Sequence, residues 1–196
     1  MLSITALLLC PDILIYNTKQ EGNVKFRPME RALLIIEEMT RLGIIKSYAI
    51  GGGIAATYYI EPILTYDLDI FFIPIKEGLD VLAPIYEFAR QRGYQFEAEA
   101  ILIEDFPVQF IPAYNNLVQE AVENAVQVSY GNIKVRILKP EYLIAIALQT
   151  GRPKDRERTL RLLESEAVDR ALLARILEKY GLMNKLKKVE ESYGDE

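Results

Sequence analysis

The sequence predicts an α/β chain of the α+β kind, a mixed β-sheet flanked by helices and followed by a C-terminal helical segment. Three observations predict it. Apolar spacings of helix and strand type alternate up to Leu138, and only helical spacing follows. A strand-like run breaks into Gly51-Gly52-Gly53 and opens a helix. A second strand-like run is apolar apart from Asp67 and Asp69.

The elements follow in order. Met1–Cys10 is apolar, lacks a basic start and is too short to span a bilayer. Ile4–Leu9 and Asp12–Tyr16 read as strand-like, and residues 1–28 as a peripheral extension; a start at Met29 is an equal reading. Pro28 to Leu42 repeats Leu33, Leu34, Ile36, Met39 and Leu42 at helical spacing, with Gly43 as its stop. Ile44–Ile50 is a strand, Ile54–Tyr59 a helix stopped by Glu61-Pro62, and Tyr66–Ile73 a strand. Leu79–Gln91 is a helix capped by Gly93; Gln95–Ile103 and Val108–Ile111 are strands. Leu117–Ala125 is a helix, and Gln127–Val135 holds a strand pair turning at Gly131-Asn132.

From Pro140 the chain reads as helices to Thr150, over Lys154–Glu164 and from the cap Asp169 to Tyr180, with a charged tail helix at Lys185–Lys188. The division is therefore 1–28, an α/β core over 29–138, and a helical region over 139–196 packed on that core.

Composition narrows the chemistry. A chain of 196 residues is long enough for a substantial core, and 51% hydrophobic with 26% charged residues suits a globular protein. A net charge of −5 gives no strong nucleic-acid-binding signal, and no segment reads as a membrane span. One cysteine, Cys10, suits a reducing, cytoplasmic setting. The absence of histidine removes Ser-His-Asp and Cys-His catalysis and structural zinc, so a bound metal meets oxygen ligands and is Mg²⁺, Mn²⁺ or Ca²⁺.

Asp67 and Asp69 are two residues apart on a strand, so both carboxylates project from one face. Like charges that close in an apolar setting repel unless a cation lies between them. Two aspartates at the solvent end of a strand explain the D-x-D pattern equally well on its own. Gly51-Gly52-Gly53 adds a helix start with unpaired N–H groups, where an anion is favoured and a phosphate can approach bare backbone. Taken alone, a glycine turn serving tight helix–strand packing is the better account. Together the two features describe a phosphate cradle beside a metal-binding acid pair.

Ala49-Ile50-Gly51-Gly52-Gly53-Ile54-Ala55-Ala56 through Thr65-Tyr66-Asp67-Leu68-Asp69-Ile70-Phe71 resembles the nucleotidyltransferase superfamily that includes DNA polymerase beta, especially small prokaryotic minimal and abortive-infection toxin-type members. Lys139-Pro140-Glu141 through Thr150-Gly151-Arg152-Pro153-Lys154-Asp155 resembles their helical segment, so the likeness covers roughly Met29 to Leu163. It implies a nucleotidyltransferase-like fold. It further implies Mg²⁺ (or Mn²⁺) on Asp67 and Asp69 and a nucleoside triphosphate on Gly52 and Gly53. By the same resemblance Thr65 belongs to the nucleotide- and phosphate-binding set and fixes the strand entry, although an ordinary β-former explains it well; Lys154 and Arg152 are candidates for neutralising phosphate, with solvated side chains an equal account; and a hydroxyl-bearing acceptor would receive the nucleotidyl group.

Three positions depart from that family pattern. Gln109 stands where a third carboxylate is expected, and an amide takes up no proton. Glu97, Glu99, Glu104 and Asp105 are the nearby acids that could substitute. Arg158 replaces an acid, and Ile63-Leu64 replaces an arginine. Three functions follow: a nucleotidyltransferase, a catalytically degenerate nucleotide- or protein-binding module, and a component of a toxin–antitoxin-type complex or homo-oligomer. The last uses Ile146, Leu160, Leu163, Leu172 and Ile176 as an interface, although such residues more often form intramolecular core.

Overall fold

The computed structural model of the chain describes residues 27–61, 65–76, 78 and 80–194, without the side chains of Lys154 and residues 192–194. The expectations for residues 1–26, Pro62 and Ile63-Leu64 lie outside the described residues. Helix α1 (Pro28–Arg41) starts at a proline and buries Met29, Ala32, Leu33, Ile36 and Met39, the face set by the helical spacing. It is followed by β1 (Ile45–Ile50), α2 (Gly52–Ala56), β2 (Leu68–Pro74), α3 (Ala83–Gln91), β3 (Gln95–Glu97), β4 (Ala100–Ile103) and β5 (Phe106–Pro112). Then come α4 (Asn116–Glu123), β6 (Val126–Tyr130), β7 (Ile133–Ile137), α5 (Pro140–Thr150), a 3₁₀ turn at Pro153–Asp155, α6 (Arg156–Glu164), α7 (Arg170–Lys179) and α8 (Met183–Gly194).

The strands form one mixed seven-stranded sheet in the order β3-β4-β5-β2-β1-β7-β6. β2 runs antiparallel to β1 and parallel to β5, while β1 and β7 are parallel. The two outer hairpins, β3-β4-β5 and β6-β7, are antiparallel. This is the mixed sheet flanked by helices that the sequence predicts. Alternation is clear on β4 and β5, where Ile101, Ile103, Val108 and Phe110 are buried while Ala100, Leu102, Gln109 and Ile111 are half-open. Beside the central aspartate strand, the sheet therefore keeps one face that is not fully covered.

Several element boundaries differ from expectation. The helix expected from Leu79 begins at Ala83, because Pro84 in its first turn has no N–H to extend the helix backward. The expected Gln95–Ile103 strand is a hairpin that folds back at Ala98-Glu99, with Glu97 paired to Ala100 and Ala98 at φ 49°. No glycine, asparagine or aspartate announces that turn. The helix expected at Ile54–Tyr59 begins at Gly52 and ends at Ala56. The helix expected from Lys154 begins at Arg156, after the 3₁₀ turn. In addition, Asp67 lies just before β2 rather than inside it.

Buried and half-buried polar groups hold the C-terminal helices to one another and to α4. α5 packs on α2 and α4 as well as on α6, α7 and α8. Ile146, Leu163 and Ile176 are buried within the chain, and Leu172 packs against the same core. Glu141 is buried at the start of α5 and accepts the amide of Asp169 at 2.7 Å, while Asp169 caps α7 through Ala171 and Leu172. Buried Asp155 is clamped by Arg152 at 2.9 Å and by Arg158.

Glu120 on α4 is the third junction. It accepts the Tyr142 hydroxyl at 3.0 Å and the Lys179 ammonium at 2.5 Å, and also the Tyr180 hydroxyl. Burial works to raise its pKa, but the bonds from Lys179, Tyr180 and Tyr142 outweigh it and hold the carboxyl below its usual range. A depressed folded-state pKa contributes stability that is complete above the ordinary glutamate value and is lost as pH falls through the folded one. Glu120→Gln is therefore expected to cost about 1 kcal/mol at neutral pH. The difference between variant and wild type in urea midpoint should shrink below pH 4.5, the ordinary value for glutamate.

Candidate functional site

Each glycine of Gly51-Gly52-Gly53 lies against a different side chain from β2 or the residues leading into it. A Cβ built on Gly51 would stand 2.3 Å from the Phe71 ring, and one on Gly53 would stand 2.7 Å from Thr65 Oγ1. On Gly52 it would fall 1.6 Å from Asp69 Oδ2 and 2.6 Å from its Cγ. Gly52 also has φ +57°, in the left-handed region where a side chain is strained. The three glycines thus let the start of α2 descend onto the face that carries Phe71, Asp69 and Thr65. The backbone is pinned in register, since the Gly51 amide donates to the Asp69 carbonyl at 2.9 Å.

This packing assigns the glycines a sharper role than a general opening for phosphate. Their Cα side is filled by the protein's own side chains, so a ligand meets this turn from its N–H side. Gly52 and Gly53 open α2, and their amides have no helical carbonyl four residues back to receive them. Thr65 Oγ1 donates to Asp67 Oδ1 at 3.4 Å, holding the first aspartate at the mouth of the strand. Asp67, Asp69 and Thr65 are all half-buried. Gly52, Gly53, Thr65, Asp67 and Asp69 accordingly gather into one small region at the junction of β1, α2 and β2.

On the other side of Asp69 stands β5. The parallel register pairs Asp69 with Gln109, so the amide occupies the neighbouring position on the same sheet face. Gln109 is in turn paired with Ala100, and Ala100 with Glu97. Gln109 Nε2 donates at 2.7 Å to Glu99 Oε2, from the turn that the sequence reading merged into a strand. Glu104 instead pairs with Arg31 at 3.2 Å and accepts from Tyr94 at 3.3 Å, and Asp105 pairs with Arg31 at 3.9 Å.

The cations expected at the site separate. Arg152 is held by Asp155, and its charge counteracts the burial that raises the Tyr114 pKa, placing the α5–α6 connection near the end of β5. The backbone of Lys154 lies in that connection, ahead of α6, which packs on α2. Arg158 turns inward to Asp155. The acid of the Lys154-Asp155 pair is thus architectural.

Two hard carboxylates beside a backbone turn fit a divalent cation that takes its remaining ligands from phosphate and water. Among the described residues, no group of three Asp, Glu, Cys or His side chains is placed to hold a metal.

No family model and no curated protein matches the chain. Among solved structures, it is similar to the antibiotic-resistance factor ANT(2'')-Ia in solution, at 15% identity and TM-score 0.49, covering 87% of this chain and 100% of that one. It is similar to an antigenic nucleotidyltransferase-like protein from Paracoccidioides brasiliensis, at 11% identity and TM-score 0.49, covering 83% and 90%. It is also similar to ANT(2'')-Ia in complex with adenylyl-2''-tobramycin, at 18% identity and TM-score 0.45, covering 76% and 98%.

Gly52→Ala forces Asp69 to move and strains the backbone as well. It is expected to destabilise the chain by about 2 kcal/mol or more in urea denaturation.

Proposed function

We propose that the chain binds a Mg²⁺-nucleoside triphosphate and transfers its nucleotidyl group to a hydroxyl acceptor. The observation that carries this reading is the contact of Gly52 with Asp69, which makes the glycine turn and the acid pair one site. Separately, each feature has an ordinary structural account. As one site they place backbone N–H groups beside two carboxylates, a set of groups complementary to a polyphosphate and its cation. The resemblance of the two sequence blocks to small nucleotidyltransferases supports the same reading.

In this proposal Asp67 and Asp69 hold the cation, and Mg²⁺ (or Mn²⁺) bound there supplies charge neutralisation and Lewis-acid polarisation of the phosphates. The Gly52 and Gly53 amides bind the triphosphate tail, and Thr65 orients Asp67. Lys154 adds positive charge from the α5–α6 connection. Most of the rate enhancement comes from positioning and from electrostatic stabilisation at the phosphorus, as is general for phosphoryl chemistry. The proposed organisation, an α/β core over 29–138 with a helical region over 139–196, puts the acid pair on the first part and the lysine on the second. The proposed setting is the cytoplasm.

A second reading is favoured by Gln109. An amide beside Asp69, where the family pattern puts a carboxylate, suits a module that binds nucleotide, or a protein partner as in a toxin–antitoxin-type system, without transfer.

Calorimetric titration of each triphosphate in the presence of Mg²⁺ is expected to show binding. Asp69→Ala should weaken it at least tenfold, about 1.4 kcal/mol. Transfer of an α-phosphate label to a hydroxyl acceptor, abolished in Asp69→Ala, separates the enzyme from the binding module. A melting temperature that neither nucleotide nor Mg²⁺ moves would exclude both.

A further inference from the structure

Four acids lie within reach in sequence of the position where Gln109 stands, and the structure sorts them. Glu104 and Asp105 form the turn at one end of β4 and are committed to Arg31 and Tyr94. Glu97 faces the same side as Gln109, but Ala100 on β4 lies between them. Glu99 occupies the turn at the other end of β4, and its Oε2 accepts Gln109 Nε2 at 2.7 Å. Gln109 in turn is the direct cross-strand neighbour of Asp69.

We propose that Glu99 is the proton acceptor of the nucleotidyl transfer, held beside the Asp69 site by Gln109. This rests on the reading of the site as a nucleotidyltransferase. Two features make the pair a coupled choice. A carboxylate at 109 would meet Glu99 at hydrogen-bond distance and repel it, whereas an amide N–H matches an acceptor-only carboxylate. The methyl side chain of Ala100 leaves the amide room to reach the turn.

Glu99 is also accessible. It is exposed and lines an open cleft of about 270 Å³ with Tyr86, Arg90, Phe96, Ala98 and Ala100. Phe96 and the α3 wall of that cleft lie on the face opposite Gln109 and Asp69, and Glu99 stands at the turn where the two faces meet. Tyr86 and Arg90 from α3 line the same cleft as Glu99, and Gln109 is the group that bonds its carboxylate.

In the proposed step the acceptor O–H bond breaks and its proton passes to the Glu99 carboxylate. The acceptor oxygen bonds to the α-phosphorus as the bond from that phosphorus to the bridging oxygen breaks, and pyrophosphate leaves with the electron pair. Glu99 touches the reacting hydroxyl and is catalytic; Gln109 is a positioning residue.

The test compares the wild type, Glu99→Gln, Gln109→Ala and the double variant Glu99→Gln/Gln109→Glu. The expected result is a fall in kcat of about 100-fold in Glu99→Gln. It should be accompanied by loss of the acidic limb of the pH–rate profile and an Mg²⁺-triphosphate affinity within twofold of wild type. The double variant, which moves the carboxylate onto β5, should recover at least tenfold. In the ligand-free protein, the Gln109 side-chain amide resonance should titrate with Glu99 in the wild type and stay flat in Glu99→Gln. Normal kcat and an unchanged pH profile in Glu99→Gln, with Asp69→Ala inactive, would overturn this inference and leave the enzyme reading intact. Binding without transfer by the wild type would overturn both.

Discussion

The Asp69 carboxylate lies where a side chain on residue 52 would have to be, and the architecture around the site depends on that contact. It sets how closely α2 approaches β2, and it requires a residue without a Cβ in the left-handed region. The neighbouring glycines repeat the arrangement with Phe71 on one side and Thr65 on the other. Three consecutive glycines are therefore explained residue by residue, each by a particular partner. One consequence is chemical. The Asp69 carboxylate is packed against the Gly52 backbone on one side, and β5 stands on its other side through Gln109.

Charged groups away from this edge are spent on architecture. Glu141 and Glu120 join the helices after Leu138 to one another or to α4, and Asp155 ties the α5–α6 connection to the first turn of α6. A carboxylate removed from water needs hydrogen bonds, and each of these accepts at least one from a group on another turn or helix, Glu141 through Oε1 alone. The Arg152–Asp155–Arg158 clamp shows the consequence for function, because it draws two arginines toward a buried acid. The two carboxylates at the mouth of β2 and the one at the β3–β4 turn are of a different kind, half-buried or exposed beside the open face of the sheet.

Much of this was legible in the sequence. Regular helices such as α1 and α7 follow from period 3.6 with proline or aspartate at their starts and glycine after their ends, and α5, apolar on nearly all sides, from its starting proline and following glycine, all local signals. The β6–β7 hairpin follows from Gly131-Asn132 between alternating runs. The β3–β4 hairpin does not, because Ala98 takes a positive φ without any residue that favours one. Its turn is imposed by pairing with β4, and β4 by pairing with β5. That missed turn also hid Glu99, which in sequence is one acid among four near Gln109.

By itself the sequence singled out the candidate residues, since Asp67, Asp69 and the three glycines stand out by their spacing and by the backbone freedom of glycine, and the family resemblance joined them into one candidate site. Spacing along the chain settles such matters because they depend on neighbours one to four residues away. Tertiary structure alone decided what each glycine touches, that Gln109 stands beside Asp69, and which acid Gln109 holds. Those relations come from the register between strands distant in sequence, where a shift of one residue reverses every side chain.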